Sequence, residues 1–103
     1  MTRYRVEILP RASAQVRLIA AWWAENRLAA PTLFLDELEL AIEQLAATPR
    51  IGGPYRRSRH QRIRRIHLRG SGYHVYYSVN EAEHLVNIRA VWHAARGRGP
   101  ALS

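Results

Sequence analysis

The stretch Arg62 to Val79, RIRRIHLRGSGYHVYYSV, decides the fold. Arg62 to Leu68 and Tyr73 to Val79 are rich in β-branched, aromatic and alternating residues. The four residues between them, Arg69 to Gly72, carry two glycines and a serine. That pattern predicts an antiparallel hairpin. With Leu68 opposite Tyr73 as the innermost pair, His67 faces His74, Ile66 faces Val75 and Arg65 faces Tyr76. Side chains alternate along a strand, so Ile66, Leu68, Tyr73, Val75 and Tyr77 fall on one face, the core side. Arg65, His67, His74 and Tyr76 fall on the other.

A third strand follows over His84 to Trp92, HLVNIRAVW, after the loop Asn80 to Glu83. Period two puts Val86, Ile88, Ala90 and Trp92 on the core side. Asn87, Arg89, Val91 and, just beyond, His93 lie opposite. On the N-terminal side of the hairpin, Gly52-Gly53-Pro54 reads as an irregular loop after Thr48-Pro49. Before that, two helical patterns appear. The first runs from about Ser13 to Asn26, with Val16, Ile19 and Trp23 on one stripe and Leu18 and Trp22 beside it. The second runs from Pro31 to about Ala47, with Phe34, Leu38, Ala41, Ile42 and Leu45 on one face. The chain opens with a short strand, Tyr4 to Leu9, ended by Pro10. The order is β-α-α-β-β-β. The fold class expected is α+β, with a helix hairpin packed on one face of a mainly antiparallel four-stranded sheet.

The chain has 103 residues, 48% of them hydrophobic. That suits one compact domain over 1–103, with residues 94–103 expected as a partly flexible tail. No cysteine is present, which excludes a disulfide framework, a thiolate metal site and a cysteine nucleophile. No apolar stretch is long enough to span a bilayer and the N-terminus has no signal-peptide pattern. A cytoplasmic location without membrane association is therefore the expectation. All sixteen basic residues are Arg, and the net charge is +8. Residues 49–80 hold eight Arg and no acid, so the whole excess sits in one block. It predicts an acidic or phosphate-bearing partner on one face. The run RRSRHQRIRR within it is similar to a nucleic-acid or targeting patch.

With the polar halves aligned, one open sheet surface displays Arg65, His67, His74, Tyr76, Arg89 and His93. Arginine holds phosphate bidentately and histidine moves protons near neutral pH. Those groups suit a metal-free RNA-cleaving site, and equally a basic docking surface for a protein. A plain nucleic-acid-binding module would also account for the charge, though less well for the element order. Two histidines without a third ligand make a weak metal site, so no metal or other cofactor is expected.

Four segments together resemble the RelE/ParE superfamily of toxins from bacterial type II toxin–antitoxin modules. They are VEILPRASAQ (6–15), AIEQLAATPRIGGPYR (41–56), the hairpin itself, and VNIRAVWHAARG (86–97). In RelE-like members the resemblance implies a toxin that enters the ribosome and cuts mRNA. Arg65 and Arg69 then match basic hairpin positions, and His67, His74 and His93 would be the acid or base groups. His74 stands where that pattern has an Arg, and no Tyr follows Tyr77. The ending VWHAARG is closer to ParE-like members, which the resemblance implies are protein inhibitors of DNA gyrase and not enzymes. The ParE-like reading is the one favoured. Arg65, Arg69, Tyr76, Arg89, His93 and Arg96 are then the target-binding candidates. Both readings imply an acidic antitoxin that folds on binding, with Trp22, Leu33 and Leu40 as its candidate contacts. The chain has no DNA-reading helix of its own, so direct sequence-specific DNA binding is not expected.

Overall fold

A computed structural model describes residues 2–57, 62–96 and 99–100. The elements are β1 (Arg5–Ile8), α1 (Pro10–Asn26), α2 (Leu33–Ala47), β2 (Gly53–Arg57), β3 (Arg62–Leu68), β4 (Tyr73–Asn80) and β5 (Leu85–His93). Among the described residues the strands form one sheet in the order β1-β5-β4-β3-β2. All neighbours are antiparallel except β1, which runs parallel to β5.

Pro10 does more than end the first strand. It occupies the first turn of α1, behind an extended Leu9, where its missing N–H removes a donor that would have no helical partner anyway. Helix α1 therefore begins three residues before Ser13, where the sequence pattern placed its start. Ala12 and Trp23 are buried, and Val16, Ile19 and Ala20 pack beside them. Neighbouring helix positions point about 100° apart, so Trp22 and Leu18 are turned outward, 44% and 74% exposed. In α2, Phe34, Leu38, Ala41 and Leu45 recur every three to four residues and are buried. The Thr32 hydroxyl donates to the Asp36 carboxylate (3.0 Å) at its start.

The β3–β4 hairpin has the register expected, from Leu68↔Tyr73 to Arg65↔Tyr76. Gly72 closes its turn at φ 86°, a backbone conformation open to glycine without strain. An α2 side chain secures the turn: Glu37 accepts the N–H groups of Gly70 (2.6 Å) and Ser71 (2.8 Å). Burial pushes the Glu37 carboxyl up, but hydrogen bonds from Ser71 and Gly70, with His67 nearby, outweigh it and hold it below its ordinary value.

The sheet has a strand more than the four expected. Gly53–Arg57, read from Gly-Gly-Pro as irregular, pairs with β3 at the edge of the sheet. An edge position is where Pro54 is tolerated, and the register shifts between Pro54 and Arg56. The Tyr77 hydroxyl accepts the N–H of Gly52 (2.9 Å) inside the core and so ties the start of this strand to β4.

The second difference lies in β5. Tyr76 pairs with Ala90, but Tyr77 pairs with Ile88, so Arg89 is an extra residue in a β-bulge. A bulge shifts the side-chain alternation by one. Val86, Ile88 and Val91 therefore face the helices, whereas Ala90 and Trp92 face the other way. Beyond the end of β1, the Gln15 side chain accepts the N–H of Val91 (2.8 Å). Among the described residues no helix is long and apolar enough to cross a membrane.

Candidate functional site

The sheet face turned away from the helices carries a row of aromatic and basic groups. His67 and His74 stand directly across from each other, ring centres 4.8 Å apart. His74 lies edge-on to Tyr76 at 6.0 Å, and Tyr76 edge-on to Tyr55 at 4.9 Å. The Arg65 guanidinium sits over the Tyr55 ring at 4.8 Å. At the far side, Arg96 sits over Trp92 at 4.3 Å. Such cation–π contacts hold each guanidinium flat against a ring while leaving its edge donors free for a ligand. Burial, then the charges of Arg65 and His67, push the His74 imidazole below its ordinary value. Both effects favour the neutral ring.

This face is not bare. Ile63, Tyr76 and Ala90 form a second small core, with Tyr55 and Trp92 packed against it. Tyr76 is 2% exposed, so its ring is a structural element and not the accessible contact expected of it. The C-terminal segment adds to the cover: a side chain on Gly99 would collide with the Tyr55 hydroxyl. Alternation along β4 does place Tyr76 on this face. It carries no sign that β2 and the chain end would close over it.

His93 is the larger correction. It pairs with Tyr73, not with the open face, and its ring meets the Tyr73 ring edge-on at 4.8 Å. The Arg89 bulge moved it to the helix side of the sheet. There its Nδ1 accepts the N–H of Ala95 (3.1 Å). It lines a cleft of about 680 Å³ with Trp22, Trp23, Arg27, Tyr73 and Arg96. The same bulge engages Arg89, whose Nε donates to the Ser78 hydroxyl (2.8 Å). Burial pushes this guanidinium below its usual value. Arg69 is exposed in the hairpin turn. Thus Arg65, His67 and His74 come together, Arg69 and Arg96 flank them, and His93 does not join.

Of the proposed antitoxin contacts, Trp22 and Leu40 are exposed, 44% and 66%. Leu33 is partly buried against the main core, because the first turn of α2 presses it toward the hairpin. Arg98 and residues 101–103 of the tail, and residues 58–61 of the arginine-rich run, lie outside the described residues. Among the described residues no three His, Asp or Glu side chains gather where a metal ion could sit. Trp92 and Tyr55 were not expected on this face. The first was hidden by the bulge and the second by the loop-like composition around it.

Comparison with known families gives a match over residues 6–97 to the family described as ParE toxin of the type II toxin–antitoxin system parDE. Among solved structures, a doubly substituted variant of the Escherichia coli toxin RelE in the free state is similar, with a TM-score of 0.61 and 21% identity. The alignment covers 93% of this chain and 88% of that one. At that identity the likeness speaks for the fold. Curated proteins provide no match.

Proposed function

The chain belongs to the ParE toxin family of type II toxin–antitoxin systems, and on that premise we propose that it arrests growth by docking on DNA gyrase. The observation that carries this reading is the separation of the histidines. A metal-free RNA-cleaving site needs an acid, a base and a phosphate-holding cation around one scissile bond. Here His93 is on the opposite side of the sheet from His67 and His74, and Tyr76 is sealed in a small core. What remains accessible is a basic, aromatic surface of the kind that proteins bind through Arg and ring contacts. Arg65, Arg69 and Arg96 are its proposed anchors.

The test uses purified full-length chain against gyrase supercoiling, beside ribosome-bound message read by primer extension. Inhibition of supercoiling with uncut message supports the reading. Unaffected supercoiling refutes it.

One observation favours a second reading, a RelE-like ribosome-dependent endoribonuclease. His74 stands beside His67 and Arg65, which puts two of the three candidate proton-transfer groups next to a guanidinium suited to a phosphate. Cuts in translated mRNA that disappear in His74→Ala would establish it.

A type II toxin implies an antitoxin partner. We propose an acidic amphipathic segment that folds over the exposed Trp22 and Leu40 and reaches the cleft edged by Arg27 and Arg96. Charge complementarity with a chain of net charge +8 supports that chemistry.

A further inference from the structure

The arginine-rich block is only partly used by the face just described. Arg50, Arg62 and Arg64 line a separate open cleft of about 670 Å³ with Ser78, Asn80, Glu81 and Asn87. Arg62 is five residues before His67 on β3, which is about 17 Å at the usual rise of a strand. The cleft is therefore distinct from the histidine pair.

Its charges do not balance. Three guanidinium groups meet one carboxylate, that of Glu81, which is paired with Arg50 at 2.9 Å and also accepts the Tyr4 hydroxyl. Arg64 is held by oxygens that orient it without neutralising it, the carbonyls of Gly52 (2.6 Å) and Arg50 (3.3 Å). The Arg62 side chain makes no hydrogen bond or ion pair among the described residues. Two positive charges are left over.

The remaining polar groups point the same way chemically. The Asn80 side-chain oxygen already accepts the N–H of Glu83 (3.1 Å), so its amide N–H₂ is what it can offer a ligand. The Ser78 oxygen already accepts from Arg89, leaving its O–H to donate. A cleft of donors with two uncompensated charges, one of them on a prepositioned guanidinium, matches a phosphate monoester. That group carries about −1.5 to −2 at pH 7 and three strong acceptor oxygens. A single carboxylate would satisfy half of the charge.

We propose that this cleft binds the dianionic terminal phosphate of a nucleotide or of a nucleic-acid 5′ end, through Arg62 and Arg64. The proposal is independent of which macromolecule the open face engages.

Calorimetric titration of the purified full chain tests it, at one fixed salt concentration. The probes are a 5′-phosphorylated single-stranded oligonucleotide, its 5′-hydroxyl twin, ADP, and a glutamate-rich peptide. Expected is roughly tenfold tighter binding of the phosphorylated strand than of its twin, the size of one lost charge-assisted hydrogen-bond set. Arg62→Gln should erase that difference, and Arg11→Gln, on α1 with the same loss of charge, should keep it. ADP binding as tightly as the phosphorylated strand identifies a free nucleotide as the ligand, and weaker binding identifies the strand end. The proposal fails if the twins bind equally, if Arg11→Gln and Arg62→Gln weaken the phosphorylated strand alike, or if the peptide binds as tightly as the phosphate probes.

Discussion

His67 and His74 face each other across the β3–β4 ladder with ring centres 4.8 Å apart, and burial and the nearby charges disfavour protonation of His74. The unfolded chain therefore binds that proton more readily than the folded one, and stability must rise with pH across the titration. The stability of the neutral form is complete above the unfolded value of about 6.5 and falls as pH drops through the lower folded value. Urea unfolding between pH 8 and 5 should show this loss, and His74→Gln should flatten it. An unchanged slope in the variant would assign the effect elsewhere.

Glu37 ties α2 to the hairpin turn through two backbone N–H groups. Glu37→Ala leaves both without their acceptor. Because the carboxylate is partly solvated, the expected cost is at the lower end for charge-assisted bonds, about 1–2 kcal/mol. That corresponds to a fall in Tm of at least about 4 °C for a domain of this size. Its carboxyl is held below the ordinary value. The contribution is therefore full above the unfolded carboxylate pKa and disappears as pH falls through the folded one. Thermal melts of the variant and parent should converge at acid pH.

Removal of a single oxygen from the core tests the β2 anchor. Tyr77→Phe deprives the buried Gly52 N–H of its acceptor and should cost about 1–2 kcal/mol. Amide hydrogen exchange should quicken at Gly52 and the first residues of β2 while β4 and β5 stay protected. Uniform loss of protection would show that β2 is not separately anchored.

Arg65 and Tyr76 share a face and should behave in opposite ways. Tyr76→Ala opens the second small core, so a loss of about 3–5 kcal/mol is expected. Arg65→Ala gives up one half-buried cation–π contact, about 0.5–1 kcal/mol, and should instead abolish growth arrest in a folded protein. Circular-dichroism melts paired with a plate toxicity assay separate the two. Full toxicity of Arg65→Ala would remove it from the target-binding surface.

The fold was legible where local signals agree. In Arg62–Val79 the strand period, the glycine turn and the aromatic content all specify one hairpin, and the observed register is the expected one. Phe34, Leu38, Ala41 and Leu45 likewise announce the buried face of α2. The candidate site was legible only on β3 and β4. On β5, one unpaired residue, Arg89, reverses the facing of everything after it, and no composition signal marks a bulge at an Arg. The placement of His93 and Trp92 therefore needed the partner strand. Tyr76 shows a second limit: alternation gives the side of the sheet, but what covers that side comes from Tyr55 and Gly99, far away along the chain.

The pairing of Arg5 with Leu85 sets the timetable of folding. β1 is joined to β5, eighty residues later in the chain, and β5 is also the strand against which α1 packs its apolar stripe. Until β5 has been synthesised, the apolar stripe of α1 lacks the strand it packs on, because loop closure of that length must precede the contacts that reward it. A product truncated before Leu85 would keep the β2–β3–β4 ladders but leave β1 without a partner strand.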